Sequence, residues 1–152
     1  MPMKDPDFFS EEEPEILIHI EDVEYQWDDE EPVISWIQKC ILEEGKTYQA
    51  INFIFCSDAY LHEMNQTYLQ HDTLTDVITF PYHESPEEPI SGDVFISVER
   101  TQDNAVKYKT EERIELYRVM IHGILHLIGY GDKTPIQKKL MTEKEDYYLA
   151  KI

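Results

Sequence analysis

Two histidines carry the first chemical signal. In VMIHGILHLIGYGD, Val119 to Asp132, His122 and His126 stand among Val119, Met120, Ile121, Ile124, Leu125, Leu127 and Ile128. That apolar set covers nearly all of a helical wheel, so the segment reads as a helix buried on every side. Residues four apart share one face, with Cβ atoms about 6 Å apart, within reach of a single metal ion. Gly129 is placed to end the helix in a left-handed turn, and Asp132 follows where the chain doubles back. His-x3-His, a glycine turn and a carboxylate six residues on match a three-ligand site with one open position. The plainer alternative is a pair of hydrogen-bonded core histidines. Each ring would then leave a nitrogen to satisfy in a dry interior, and that cost favours the metal.

The elements that must hold this helix can be read in chain order. Residues 1–14, acidic and proline-containing, are expected to be a flexible extension, with the folded domain spanning 15–152. Ile16, Ile18 and Ile20 alternate as a first strand reaching towards Trp27, with His19 as an ordinary strand residue. Asp28 to Pro32 opens a helix whose stripe is Val33, Ile34, Trp36, Ile37, Cys40 and Ile41, ended by Gly45. Tyr48 to Cys56 is a strand too apolar to have a wet face. Ser57 and Asp58 cap a helix from Ala59 to about Leu69. Val77–Phe80 and Ile90–Val98 read as neighbouring strands across an acidic, proline-rich loop. Glu99 to Lys107 is helical, Thr110 caps the histidine helix, and Thr134-Pro135 opens a last helix. Ile136, Leu140 and Leu149 are its expected core contacts. The sum is a single α+β domain, a mixed sheet of about four strands packed around the buried histidine helix.

Composition narrows the function. The chain has 152 residues, enough for one domain with a real core, and a formal charge of −19. Residues 1–99 hold 24 acidic and 3 basic side chains, whereas residues 100–152 hold 8 and 10. Such a balance argues against non-specific nucleic-acid binding over the whole surface. A local basic strip stays open: Arg100, Lys107, Lys109, Arg113 and Arg118 precede the histidine helix, and Lys133, Lys138 and Lys139 follow it. An ordinary solvated mixture of charges is the alternative. Cys40 and Cys56, outside any CxxC pair, read as small buried hydrophobes of a reducing compartment. No signal peptide and no membrane span are apparent, which makes a soluble, cytoplasmic protein the expectation.

Three segments together resemble the YbeY family of metal-dependent endoribonucleases, which act in ribosomal RNA maturation. The family pattern H-G-x-L-H-L-x-G-Y-D-H is met by His122, Gly123, Leu125, His126, Leu127, Gly129 and Tyr130. A second, N-x-x-Y-R-x-x-D-x-x-T-D-V-L-S-F-P, is met by Asn65, Tyr68, Asp72, Thr75, Asp76, Val77, Phe80 and Pro81. A third, G-D-I/V-x-I-S, is met by Gly92, Asp93, Val94, Ile96 and Ser97. Order and spacing agree from about Ile16 to the C-terminus. Two positions depart. Gly131-Asp132 stands where the family carries Asp-His, so Asp132 takes the place of the third zinc-binding histidine. Leu69 stands where the family usually carries an arginine suited to holding phosphate, a role left to Arg100, Arg118 or another base.

The resemblance implies hydrolysis of single-stranded RNA by a metal-activated water, whose pKa falls from 15.7 towards about 7. The ligands are expected to be His122, His126 and Asp132, and the ion zinc, with manganese or nickel as alternatives. A carboxylate binds zinc and also suits a harder ion. Asp76 and Asp93 are candidates for orienting ligands or moving protons; the alternative makes them turn and strand-end residues bonding backbone amides. His62, His71 or His83 could supply a fourth ligand, which would turn the site into a structural one in an acidic ribosome-associated binding factor. A zincin-like metallopeptidase would need a glutamate directly after the first histidine, where Gly123 stands. Expected partners are RNA, in particular ribosomal RNA, and the ribosome or its proteins; no membrane is expected.

Overall fold

The structure, a computed structural model, describes residues 13–69 and 75–152. Most of the expected N-terminal extension, and His71 with it, lies outside the described residues. Four strands, β1 (Glu15–Ile20), β2 (Tyr48–Cys56), β3 (Val77–Pro81) and β4 (Ile90–Ser97), form one sheet in the order β1-β2-β4-β3. β1 and β4 flank β2 in parallel, and β3 closes the edge antiparallel to β4. Among the described residues five helices surround it: α1 (Glu30–Glu43), α2 (Asp58–Leu69), α3 (Val98–Lys107), α4 (Glu112–Ile128) and α5 (Pro135–Leu149). The expected α+β class and mixed four-stranded sheet are found.

The core lies between the sheet and α4. Ile51, Phe53 and Phe55 of β2, Val94 and Ile96 of β4, and Val33, Ile37 and Ile41 of α1 are buried against Leu116, Met120, Ile121, Ile124 and Leu125 of α4. Spacing of three and four residues puts the α1 set on one stripe. Two glycines allow α4 to come close to the strands. A Cβ added at Gly123 would lie 2.6 Å from Val94 Cγ1. One added at Gly92 would lie 2.6 Å from the Phe80 carbonyl oxygen and 2.8 Å from a Leu127 methyl. The site helix is therefore seated by side chains against bare backbone, Val94 on Gly123 and Leu127 on Gly92.

Three local expectations about element ends are corrected. β1 stops at Ile20 because the chain turns at once; Asp22 then accepts from Ser57 N and Oγ at 2.9 and 2.6 Å. Tyr25 and Trp27 still reach the core, edge-on to Phe55 with centroids 5.7 and 5.5 Å away. Val98 belongs to α3 rather than β4, because the Ser97 hydroxyl caps that helix by accepting from Arg100 N at 3.0 Å. Thr110 does not cap α4. Its N–H closes α3 on the Ala105 carbonyl at 3.0 Å, after a left-handed Lys109 at φ 56°, and Glu111 takes the cap position.

The inward face of α5 is Met141, Glu145 and Tyr148, whereas Ile136 and Leu140 are 82% and 41% exposed. Of the three forecast contacts only Leu149 packs on the core, from its edge. The helix is pinned in this rotation by Trp36 Nε1, which donates to the Tyr148 carbonyl at 2.8 Å. Its start is a full capping box between Thr134 and Gln137, with Pro135 in the first turn.

Gly92→Ala is expected to lose about 2 kcal/mol in urea denaturation, because the clashing carbonyl belongs to a paired strand and cannot swing aside. An unchanged midpoint would mean that α4 does not need that closeness.

Candidate metal centre

Helical spacing places His122 and His126 side by side, with ring centroids 4.5 Å apart and planes at 81°. Their Nε2 atoms face each other at 3.0 Å. Gly129, at φ 126°, ends α4, and both Gly129 N and Tyr130 N return to the Leu125 carbonyl. That turn carries Asp132 back over the helix end. Its Oδ2 lies 3.2 Å from His126 Nε2 and 3.4 Å from His122 Nε2. Two donors bound at 2.0–2.1 Å at the tetrahedral angle are about 3.3 Å apart. The triangle thus has the dimensions of one face of a tetrahedral zinc-like site. Among the described residues this is the group of histidine, cysteine and carboxylate side chains spaced to share an ion.

The Nδ1 atoms explain why the Nε2 atoms are bare. His122 Nδ1 donates to Glu145 Oε2 at 2.7 Å, and His126 Nδ1 donates to the Tyr130 carbonyl at 2.9 Å. With each ring proton committed there, two nitrogen lone pairs and a carboxylate oxygen converge, and only a cation or a proton relieves them. Burial resists charge on His122. Glu145, reinforced by Asp76 and Asp132, outweighs that and raises its pKa above the ordinary histidine value. The donor set fits a divalent ion.

A second layer of contacts fixes this arrangement, and sequence reading missed it. Arg118 reaches from α4 to α5, donating to Glu145 Oε1 at 2.8 Å and to Asp146 Oδ1 at 2.6 Å. Glu44, at the end of α1, accepts from Tyr130 OH at 2.6 Å, from Lys144 Nζ at 3.0 Å and from Tyr148 OH. Burial would raise the Glu44 pKa; the three donors outweigh it and lower it. Tyr130 is therefore held by its hydroxyl while its carbonyl holds His126. The available signal was an acidic residue on the inward stripe of α5: Glu145 sits between Met141 and Tyr148, where solvation alone would not put a carboxylate.

The triad lines a cleft of about 440 Å³ together with Asn65, Leu69, Thr75, Asp76 and Thr79. Asp76 comes from the entry to β3, and its backbone carbonyl accepts from Ser97 N at 3.0 Å. Burial pushes its carboxyl above the ordinary range, with His122 partly countering. Asp93 is not brought in. Its neighbours Gly92 and Val94 face α4, so strand alternation turns Asp93 to the opposite sheet face. There it accepts from Tyr82 OH at 2.7 Å and Asn52 Nδ2 at 3.2 Å, and Asn52 Oδ1 lies 2.9 Å from His19 Nε2. His62 lies on α2 and His83 at the β3–β4 hairpin, its Nδ1 3.2 Å from Ser91; neither belongs to the triad. The bases expected to stand in for an arginine at Leu69 are engaged: Arg100 pairs with Asp58 at 2.7 Å, and Arg118 holds α5.

The free thiols of Cys40 and Cys56 are buried, and burial pushes both up to about 12, so each serves as a small hydrophobe. No helix among the described residues is long and apolar enough to cross a membrane.

Known proteins resemble this chain over most of its length. The family model described as Endoribonuclease YbeY matches residues 16–152. The Endoribonuclease YbeY of Amoebophilus asiaticus is 46% identical over 134 residues, covering 88% of this chain and 90% of that protein. The one from Flavobacterium psychrophilum is 48% identical over 125 residues, covering 82% and 88%. The solution structure of TM1509 from Thermotoga maritima superposes with a TM-score of 0.63 at 28% identity, over 89% of this chain and 87% of that one. The match spans most of the chain, from the first strand through the last helix, and the chain belongs to the Endoribonuclease YbeY family.

Proposed function

We propose that the chain is a metal-dependent endoribonuclease that hydrolyses phosphodiesters of single-stranded RNA, with His122, His126 and Asp132 holding the ion. The observation that carries this is the triangle of bare Nε2, Nε2 and Oδ2 atoms at 3.0–3.4 Å, opening onto a cleft. Three protein ligands beside a cleft suit a catalytic site, whereas a structural site is closed by a fourth. A bound divalent ion would supply Lewis acidity at the phosphoryl oxygen and acidify water there. Zinc is the ion we favour on the two imidazoles; the anionic third ligand also suits manganese, and nickel is a further candidate. That the RNA is ribosomal, and that the work is done in the cytoplasm at the ribosome, rests on the family.

The side chains have separable tasks. Glu145 and the Tyr130 carbonyl fix the tautomers of His122 and His126, so that each presents Nε2. Asp132 lowers the net charge of the site. Asp76, a carboxyl in the cleft wall with its pKa raised, is suited to taking a proton during hydrolysis and returning it. Asp93 has no part on this side of the sheet. A peptidase base is missing too: Gly123 follows His122, and its Cα side is filled by Val94.

Elemental analysis after chelation, reloading and dialysis should find stoichiometric metal in the wild type and none in His122→Ala or His126→Ala, with loss of cleavage of a single-stranded RNA. Asp132→Ala should hold metal only weakly and Asp132→His should restore it; stoichiometric metal in Asp132→Ala would remove Asp132 from the ligand set. Glu145→Gln should weaken metal affinity by about 10–100-fold in competition with a chromogenic chelator. An affinity equal to that of the wild type would reduce Glu145 to a packing residue. Leu69→Arg, which adds a phosphate-holding cation at the cleft, should raise the cleavage rate; no gain would leave charge at that wall irrelevant.

A further inference from the structure

Among the described residues the walls of the cleft hold no lysine or arginine. Residues 47–99, which supply α2, β3, β4 and the cleft wall from Asn65 to Thr79, contain no lysine or arginine. Asp76 and Asp132 line that same cleft and repel a polyanion. Immediately past Asp132 the balance reverses. Lys133, Lys138 and Lys139 fall within seven residues, in a segment from Lys133 to Leu140 in which every residue is exposed. None of the three has an ion-pair partner among the described residues, whereas Lys144 and Lys151 farther along do, with Glu44 and Glu43.

This segment is held in place. Gln137 Oε1 accepts from Lys133 N at 3.0 Å and Thr134 N at 3.2 Å, while Thr134 Oγ1 accepts from Gln137 N at 3.1 Å. A Cβ added at Gly131 would lie 2.9 Å from the Gln137 side chain, so the loop that carries Asp132 is closed tightly onto the start of α5. The rest of α5 is anchored by Met141, Glu145 and Tyr148. Its first turns therefore stand out from the core as a fixed arm beside the candidate metal centre.

We infer that Lys133, Lys138 and Lys139 form the track on which the phosphates flanking the scissile bond lie as single-stranded RNA enters the cleft. The inference rests on the endoribonuclease reading. It reconciles a chain of net charge −19 with a polyanionic substrate, because the acidic first 99 residues repel the strand while the lysines past Asp132 offer it an approach beside the cleft. The competing basic group, Lys107, Lys109 and Arg113, is remote. Arg113 precedes His126 by 13 positions on α4, about 20 Å at 1.5 Å per residue. Arg113 also pairs with Glu111, and Lys107 sits over the Tyr108 ring.

Each phosphate neutralised on a single strand contributes about 0.7 to the slope of log K against log salt concentration. Binding of a fluorescein-labelled single-stranded 2′-O-methyl RNA to the zinc-loaded protein, followed by anisotropy across a potassium chloride series, measures that slope. The triple variant Lys133→Ala, Lys138→Ala, Lys139→Ala should lower it by about 2 while keeping wild-type zinc content and melting temperature. The triple variant Lys107→Ala, Lys109→Ala, Arg113→Ala should leave it as in the wild type. A wild type that binds and cuts RNA with a slope indifferent to the first three lysines, or sensitive to the second three residues, overturns the track alone. A zinc-loaded wild type that neither binds nor cuts single-stranded RNA overturns the endoribonuclease reading and the track with it.

Discussion

Two imidazole nitrogens facing each other at 3.0 Å, with a carboxylate oxygen 3.2 and 3.4 Å away, form an arrangement that isolated side chains would not adopt. Lone pairs repel, and a buried polar atom without a partner is costly. The arrangement persists because both rings are tied at their far nitrogens, one to Glu145 and the other to the Tyr130 carbonyl. Much of the rest of the fold can be understood as what holds those two ties. Glu145 needs α5 in one rotation, which Trp36 and Arg118 enforce. Tyr130 needs the end of α1, where Glu44 receives its hydroxyl.

The sheet contributes a flat seat. Gly92 and Gly123 let α4 approach the strands closely enough that Val94 and Leu127 fill the space a side chain would need. With its sheet side fixed, α4 presents His122 and His126 to the cleft, whose other walls come from the end of α2, the start of β3 and Asp132. Asp76 enters from β3, while Asp93, with Gly92 and Val94 on either side facing α4, is directed to the other side of the same sheet. Two carboxylates equally plausible in the chain are thus separated by the thickness of the sheet.

Charge is divided along the chain in a way that suits the proposed chemistry. The acidic first 99 residues build the sheet and most of the cleft wall, leaving the ion as the positive centre that an RNA phosphate would meet inside. Arg100 and Arg118 spend their charge on Asp58, Glu145 and Asp146. In this chain Arg118 braces His122 through Glu145, and the three lysines just past Asp132 have no ion-pair partner among the described residues.

Elements set by local periodicity were legible without coordinates: the apolar β2 strand, the β3–β4 pair, the α1 stripe, the Thr134-Pro135 start of α5 and the histidine pair with its glycine bend. Their determinants lie within a few residues of one another, so side-chain type and spacing suffice. Tertiary packing decided what depended on distant partners. Glu145 meets His122 across 23 residues, and Glu44 meets Tyr130 across 86. The inward face of α5 went to Met141, Glu145 and Tyr148 over the more apolar Ile136 and Leu140 because a hydrogen bond from α1 and an ion pair from α4 fix its rotation. Periodicity tells which residues share a face; only the packed chain determines what that face meets.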